Sequence, residues 1–127
     1  MSEEPLLPSE VESRRRFERE LDELDGMWSD YASRARRLLD EWEKVKVKLL
    51  EKISRVDSLL RSVNEDLEKI SVEIMLGLAS EEEKREERAK LEDMKSRLES
   101  RLRALQEFLD VIESRIAAHS ERLGSSP

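Results

Sequence analysis

The stretch that decides the fold is VKVKLLEKISRVDSLLRSVNEDLEKISVEIM, residues 45–75, followed by LGLASEEE, residues 76–83. Apolar residues recur in the first part at alternating spacings of four and three, a heptad pattern typical of coiled coils. Gly77 then tolerates the left-handed conformation found just past a helix end. Ser80 with Glu83 three residues later matches a capping box. The stretch predicts a helix, a tight turn and a second helix.

The heptad pattern extends far to both sides of this turn. In the first helix it runs from Phe17 to Ile74, with one stutter at Val45, Leu49 and Ile53, where two spacings of four adjoin. A strand or a disordered segment does not hold such a period for so long. The second helix carries the stripe Leu91, Met94, Leu98, Leu102, Leu105, Leu109, Ile112, Ile116, His119 and Leu123.

Prolines, glycines and serines indicate where the helices end. Pro5 and Pro8 disfavour a helix through residues 1–8, and Ser9 is placed to cap the first helix. The predicted elements are a disordered tail at 1–8, a helical hairpin at 9–124 and a second disordered tail at 125–127. Within the hairpin we expect helices at about 9–76 and 81–123 and a turn at about 77–80.

The two stripes remain in register if the chain reverses near residue 79. Facing residues then have numbers that add to 157 or 158, so that Leu67 faces Leu91 and Leu38 faces His119. Val63 with Met94 and Val45 with Ile112 follow the same rule. The sequence therefore predicts an all-α fold, a long antiparallel two-helix coiled-coil hairpin.

The two helices differ in length, and this leaves apolar residues without a partner. At 1.5 Å per residue the first helix is roughly 100 Å long and the second roughly 63 Å. The N-terminal part of the first helix therefore forms an overhang. The apolar face of both helices widens in the adjoining half of the hairpin, far from the turn, which we call the base. We interpret these residues as an oligomer interface: Phe17, Leu21, Leu24, Trp28, Tyr31, Leu39, Val47, Leu50, Phe108 and Val111. Leu50 is expected opposite Phe108, and Val47 opposite Val111.

Two arrangements satisfy this interface. In the first, two chains associate and cover each other's overhang and widened base, which gives a homodimer with a four-helix assembly at its centre. In the second, the first helix breaks at Asp25 and Gly26, and residues 9–25 fold back as a third helix. A glycine inside a helix costs about 1 kcal/mol relative to alanine, which favours the break. Continuous heptad spacing from Leu24 to Trp28 favours the dimer.

Composition gives no support for catalysis. Charged residues make up 43% of the chain, aromatics 4%, the net charge is -7, and cysteine is absent. His119 is the only histidine, so a zinc site lacks ligands, and no pocket-forming pattern supports a catalytic triad. We expect no enzyme activity, no metal, no cofactor, no small-molecule substrate and a cytoplasmic location, since no signal peptide or membrane-spanning run is evident.

Two further groups of residues are candidate contact sites. The basic clusters Arg14, Arg15 and Arg16, and Arg34, Arg36 and Arg37, are candidates for binding phosphates or an acidic partner. They are interleaved with acidic residues, which favours an ion-paired, solvated surface instead. The apolar residues at the turn, a candidate docking site for a heterologous protein, are Met75, Leu76 and Leu78.

The long two-helix hairpin resembles, at the level of fold alone, the hairpins of prefoldins, bacterial cell-division factors and ESCRT-III-like membrane-remodelling proteins. The sequence has neither the strand segments of prefoldins nor the basic first helix of ESCRT-III-like proteins, so no family is assigned. The leading hypothesis is a non-enzymatic, homo-oligomeric scaffold or adaptor. The alternative is a structural protein associated with membrane or nucleic acid through its arginine clusters.

Overall fold

The computed structural model describes residues 6–124, which form two long helices. Helix α1 spans Pro8–Met75 and helix α2 spans Glu81–Gly124. The helices pack against each other in opposite directions, and the described residues contain no strand. The predicted all-α hairpin is confirmed. Residues 1–5 and 125–127 of the two predicted tails lie outside the described residues.

Helix α1 begins one residue earlier than Ser9, the predicted cap. Pro8 takes the first helical position, where its missing N–H costs nothing. The backbone N–H of Leu7 donates to the carboxylate of Glu10 at 2.8 Å, and the carbonyl of Leu7 accepts from the backbone of Glu10 and Val11. The cap is therefore at Leu7, and Ser9 lies within the first turn.

The turn between the helices has the chemistry that the sequence indicates. Gly77 adopts φ of 75° and donates to the carbonyl of Ile74, while Leu78 donates to the carbonyl of Glu73. This pair of hydrogen bonds is a Schellman motif, which satisfies the last carbonyls of α1. At the start of α2 the backbone N–H of Glu83 donates to the hydroxyl of Ser80 at 3.1 Å.

Helix α1 passes through Gly26 without interruption. The folded-back third helix, one of the two arrangements left open by the sequence, is therefore not formed in this structure. The aligned heptads on either side of Gly26 leave no residues to form a loop, and this outweighs the small helix-propensity cost of one glycine.

The seam between the helices follows straight heptads. The buried residues of α1 are Ala32, Ala35, Trp42, Leu49, Val56, Val63 and Ile70. All but Ala32 are spaced by seven, and a second, half-buried line of the same spacing is Leu39, Lys46, Ile53, Leu60, Leu67 and Ile74. On α2 the two half-buried lines begin at Lys84 and Arg88 and also repeat every seven residues.

The predicted stutter at Val45, Leu49 and Ile53 is therefore wrong. Leu38, Val45 and Met94 were expected in the seam but are exposed, and their neighbours Leu39, Lys46 and Lys95 are half-buried instead. A regular supercoil requires a constant spacing of seven residues along each line of the seam. The residue at that spacing therefore faces the other helix, even where it is a lysine. A lysine is tolerated there because its aliphatic stem packs while its ammonium group reaches solvent.

The register of the hairpin agrees with the prediction to within one helical turn. In the side-chain contacts between the helices, from Ser71–Arg88 near the tip to Tyr31–His119 at the base, the residue numbers add to about 155 on average. Helix α2 thus extends two or three residues further along α1 than the predicted sum of 157 or 158 places it. Gly124 ends level with about residue 31. We call residues 8–30, which extend beyond this point, the overhang.

Candidate interaction surface

The overhang exposes four of the ten residues of the predicted oligomer interface. These four, Phe17, Leu21, Leu24 and Trp28, and the neighbouring Met27 are between 40% and 66% exposed. Each large apolar side chain left in water forgoes about 1.5–3 kcal/mol of burial free energy. A contiguous row of such side chains is typical of an interaction surface.

Heptad spacing arranges the apolar residues of this part of α1 in two lines. Leu21 and Trp28 continue the buried line that begins at Ala35. The other line lies beside the seam and consists of Phe17, Leu24, Tyr31, Leu38 and Val45. We call it the exposed column, because all its members except the half-buried Tyr31 are exposed. Charged residues follow at the same spacing, Glu10 before the column and Lys52 after it.

The exposed column borders two grooves where α1 and α2 meet. A groove of about 380 Å³ is lined by Leu38, Trp42 and Val45 of α1 and by Ile112 and Ile116 of α2. A wider groove of about 750 Å³ lies near the end of α2, and its lining includes Met27, Tyr31, Arg34, Leu38, Glu41 and His119. Both grooves are open to solvent along the same side of the hairpin.

The residues that widen the base are divided between the two faces of the hairpin. In antiparallel helices, residues that precede a seam position share one face and residues that follow it share the other, because each residue turns 100° around the axis. Leu38, Val45, Phe108 and Val111 precede seam positions and lie on the face with the grooves, whereas Val47 and Leu50 follow them. Leu50 therefore does not face Phe108, nor Val47 Val111.

Leu39 is half-buried in the line that faces α2. It contributes to the intramolecular seam, although the widened pattern of the sequence grouped it with the oligomer interface. The seam takes Leu39 in the place predicted for Leu38, and it leaves Leu38 on the groove face. On the predicted surface, the exposed Leu38 therefore takes the place of Leu39.

Aromatic rings connect the overhang to the end of α2. The hydroxyl of Tyr31 and Nδ1 of His119 are 2.7 Å apart, and the ring of Trp28 lies 5.5 Å from that of Tyr31. Tyr31 and Trp28 were predicted to extend beyond α2 without a partner. Tyr31 instead has a polar partner on α2, because α2 extends to about its level. His119, expected opposite Leu38, lines the groove with Leu38 and also reaches Tyr31.

A cluster of polar side chains connects the two helices in the middle of the base. The indole N–H of Trp42 and the ammonium of Lys46 each donate to the carboxylate of Glu113, both at 2.9 Å. These hydrogen bonds, chiefly the one from Lys46, lower the pKa of Glu113 below its ordinary value. The hydrogen bond to Glu113 raises the pKa of Lys46. Trp42 also stacks on Phe108, with ring centroids 6.1 Å apart.

The arginine clusters are on the surface, partly paired with carboxylates of their own helix. Arg14 contacts Glu18 at 2.7 Å, and Arg16 contacts Glu20 at 3.7 Å. Arg16 also lies over the ring of Phe17, 5.5 Å from its centroid. Arg34 and Arg37 line the wider groove, and Arg15 and Arg36 are exposed. The two clusters are thus not brought together into one basic patch.

The apolar residues at the tip of the hairpin are exposed, and polar side chains next to them connect the two helices. Met75, Leu76 and Leu78 are between 65% and 77% exposed, so they do not close the end of the seam. Below them Lys84 contacts Glu73 at 3.2 Å across the turn, and this hydrogen bond raises the pKa of Lys84. Arg88 donates to the hydroxyl of Ser71 at 3.3 Å.

Two kinds of site are not found in the described part of the chain. Residues 6–124 contain no group of three or more histidine, cysteine, aspartate or glutamate side chains arranged to hold a metal ion. Neither helix, over the same residues, has a stretch apolar and long enough to cross a membrane.

Sequence reasoning missed the polar contacts that fasten the base. No role was predicted for Lys46 or Glu113, and Tyr31 was predicted to lie in the overhang. A signal existed in the line of Leu39, Lys46 and Ile53, which keeps a constant spacing of seven where the apolar pattern stutters. Following the constant spacing would have placed Lys46 in the seam.

No family model, curated protein or solved structure matches this chain.

Proposed function

We propose that this protein is a non-enzymatic coiled-coil scaffold that acts by associating with a second copy of itself through the exposed column and the overhang. The observation that carries the proposal is the row of exposed apolar residues from Phe17 to Trp28 on a continuous helix. An isolated helical segment this rich in exposed leucine and aromatic side chains gains free energy by pairing.

The chemistry of the surface favours a protein partner with a matching stripe. Its apolar residues have heptad spacing, which a second helix with the same spacing fits by knobs-into-holes packing. A second copy provides such a helix at equal concentration, and isologous dimers are the commonest oligomers. The sequence predicts four helices at the centre of such a dimer, and that number depends on the register of the two chains.

Light scattering over a series of concentrations tests the proposal directly. We expect a mass near twice the 14.9 kDa of one chain. Leu24→Glu should weaken the association about a hundredfold or more, because it buries a carboxylate in an apolar seam. Ser33→Glu adds the same charge at a position outside both lines and should leave the dimer intact. A chain that stays monomeric at all concentrations contradicts the proposal.

The alternative is association with an anionic membrane or nucleic acid, and one observation supports it: the three consecutive side chains of Arg14, Arg15 and Arg16 are all exposed. The carboxylates of Glu18 and Glu20 reduce their free charge. Binding to anionic vesicles or DNA at low salt, lost in the triple variant Arg14→Ala, Arg15→Ala and Arg16→Ala, would favour this alternative. No binding at low salt would remove it.

A further inference from the structure

We infer that two chains pair antiparallel about a two-fold axis at Tyr31, so that the overhang of each chain docks along the groove face of its partner. The inference rests on the proposed self-association and specifies its geometry. It commits to a second copy of this chain as the occupant of the grooves. Three observations support it: the symmetry of the exposed column, the lengths of the helices and the charges at the ends of the column.

The exposed column is symmetric about Tyr31. In an antiparallel pair centred there, Phe17 falls beside Val45 of the partner subunit and Leu24 beside Leu38 of the partner subunit. Tyr31 falls beside its own copy at the axis. Two-fold symmetry repeats each contact, so every member of the column meets an apolar or aromatic side chain. This is the register in which a column running from 17 to 45 covers itself completely.

The lengths of the helices suit the same axis. Helix α2 ends level with about residue 31, so in a pair centred on Tyr31 the two α2 helices stop at the axis without colliding. Pro8, the first residue of α1, becomes level with residue 54 of the partner. The overhang of one chain therefore runs beside residues 32–54 of the other, which is the part of the hairpin that carries the grooves.

The apolar residues of the overhang outside the column also find a place in the grooves. Leu21 becomes level with residue 41 of the partner, between the Leu38 and Val45 that line the smaller groove. Trp28 becomes level with residue 34, which lines the wider groove. Phe108 is level with about residue 47 of its own chain, and its exposed side chain lies near the site that Phe17 of the partner takes.

This arrangement gives three helices at each level of the central section. Over residues 32–54 each α1 lies beside its own α2 and beside the overhang of its partner. The folded-back third helix that the sequence allows in one chain is thereby supplied by the other chain. Four helices would meet only if the two α2 helices overlapped, and a symmetric pair centred on Tyr31 brings them end to end.

Charges at the ends of the column select this direction. Glu10 lies seven residues before the column and Lys52 seven residues after it, and in the antiparallel pair these two residues lie beside each other, twice by symmetry. A parallel pair instead sets Glu10 beside Glu10 and Lys52 beside Lys52. A like-charge approach in the antiparallel pair, Glu20 near Glu41 of the partner subunit, is offset by Arg16, which contacts Glu20 within its own chain at 3.7 Å. Charge complementarity therefore favours the antiparallel pair.

Shifts of one heptad leave apolar residues beside charges. A shift in one direction sets Val45 beside Glu10 of the partner subunit, and a shift in the other sets Phe17 beside Lys52 of the partner subunit. Each shift also separates Glu10 from Lys52 at both ends of the contact. The register centred on Tyr31 avoids these losses, because the apolar part of the column and its charged ends share one centre.

The inferred dimer is a rod with its two hairpin tips at opposite ends. From Tyr31 to the tip at Leu76 is 45 residues, or about 68 Å of helix, so the tips lie about 135 Å apart. Each tip exposes Met75, Leu76 and Leu78. A scaffold of this form holds two identical apolar ends at a fixed separation.

Cysteine cross-linking tests the register. The chain contains no cysteine, so Leu24→Cys and Leu38→Cys each introduce one thiol per chain. Under mild oxidation we expect a disulfide-linked dimer when the two variants are mixed, since these positions lie side by side in the inferred pair.

The single variants are the controls for this measurement. In the antiparallel pair Leu24→Cys lies 14 residues, or about 21 Å, from its own copy. Leu24→Cys alone and Leu38→Cys alone should therefore cross-link at most one-tenth as well as the mixture. Equal cross-linking of Leu24→Cys with itself would indicate the parallel pair and overturn the inference, as would a dimer that gives no cross-link in the mixture.

Charge reversal tests the direction. Lys52→Glu should raise the dimer Kd about fivefold, as measured by sedimentation, because it sets glutamate beside Glu10 at both ends of the contact. The double variant Glu10→Lys with Lys52→Glu restores the opposite charges and should lower the Kd below that of Lys52→Glu, even though it also removes the carboxylate that accepts from the backbone N–H of Leu7. Lys69→Glu makes the same change of charge in the tip half and should leave the Kd unchanged. A Kd that responds equally to Lys52→Glu and Lys69→Glu would overturn the inference.

Small-angle X-ray scattering of the full chain separates the two directions by length. We expect a maximum dimension of about 135 Å for the antiparallel rod, against about 100 Å for a parallel pair or a monomer. A dimer of about 100 Å would overturn this inference and leave the proposed self-association standing. A monomer would contradict both.

Discussion

The tip half and the base half of the hairpin have the same seam but different outer faces. From Ile53 to Leu98 the two helices bury one narrow stripe, and the exposed apolar side chains there, apart from the turn, are single residues such as Leu59 and Met94. Below Ile53 the exposed column, the grooves and the overhang add a second apolar face. Two helices bury the apolar stripe of the tip, whereas the base leaves a second apolar face exposed, which is the face that the proposed dimer covers.

The polar contacts between the two helices also differ between the tip half and the base half. At the tip the pairs Glu73 with Lys84 and Ser71 with Arg88 connect the helices through polar contacts without aromatic rings. In the base Trp42, Tyr31 and His119 combine hydrogen bonds with ring contacts inside or beside the seam. Hydrogen bonds with few good geometries specify which residues pair. The base is therefore the part of the hairpin where side-chain pairing is defined most closely.

The largest expected effect in a single chain is at Trp42. This side chain is 5% exposed, stacks on Phe108 and donates to Glu113. Trp42→Ala should lower the free energy of unfolding by about 3–5 kcal/mol, measured by chemical denaturation at one fixed protein concentration.

Leu59→Ala is the matched control for Trp42→Ala in the tip half. Its side chain is 56% exposed, so truncation should change stability by no more than about 0.5 kcal/mol. If both variants lose the same free energy, the contrast between a specified base and a self-sufficient tip is wrong.

Glycine substitutions sharpen the comparison at the turn. Gly77 has φ of 75°, and Gly77→Ala should destabilise the chain by about 1 kcal/mol because a side chain strains this conformation. Gly26 lies inside α1, and beyond its chain neighbours and the nearby helix backbone no atom lies within 4 Å of the place that a Cβ would take, so Gly26→Ala should stabilise by about 0.5–1 kcal/mol. Thermal unfolding of the two variants should shift in opposite directions. Equal shifts would show that the Schellman turn does not limit stability.

The smallest effect concerns the pH dependence of the base. Hydrogen bonds from Lys46 and Trp42 hold the pKa of Glu113 below its ordinary 4.5. A lowered folded-state pKa means that its stabilisation is present above pH 4.5 and is lost as the pH falls below that value. In Glu113→Gln this part of the acid-induced loss should be absent, as measured by denaturation at about pH 7 and about pH 3.

Glu107→Gln removes an exposed carboxylate from the same helix and is the control for this measurement. It should retain the loss of stability on acidification seen in the unmodified chain. A Glu113→Gln profile that matches that of Glu107→Gln would mean that the cluster of Trp42, Lys46 and Glu113 does not stabilise the base.

Much of the architecture was predictable from the sequence. The heptads, Gly77 and the serine cap at Ser80 specify two helices and a turn, because each depends on local chemistry or on a period of the chain itself. The exposed overhang was also predictable, since it follows from the unequal lengths of two apolar stripes. Within the candidate surface, Phe17, Leu21 and Leu24 were identified from the same difference.

The local apolar pattern predicted the seam residues less well where the seam contains lysine. The sequence favoured Leu38, Val45 and Met94 because each is apolar, whereas the folded seam takes Leu39, Lys46 and Lys95. A residue's hydrophobicity predicts burial on average, but the position of a helix face relative to its neighbour is a property of the whole supercoil. The constant spacing of seven residues, and not the hydrophobicity of each residue, decided which side chains face α2.

The sequence by itself determined the two helices, their reversal at Gly77 and their register to within one turn. Only the tertiary structure decided which side chains meet at the base, where Tyr31 pairs with His119 and Trp42 stacks on Phe108 and binds Glu113. The reason is that a heptad pattern specifies which face of a helix meets its neighbour, whereas the partner of a long side chain depends on its rotamer. Rotamers in a packed seam are chosen together with those of the opposite helix, so no single stretch of sequence determines them.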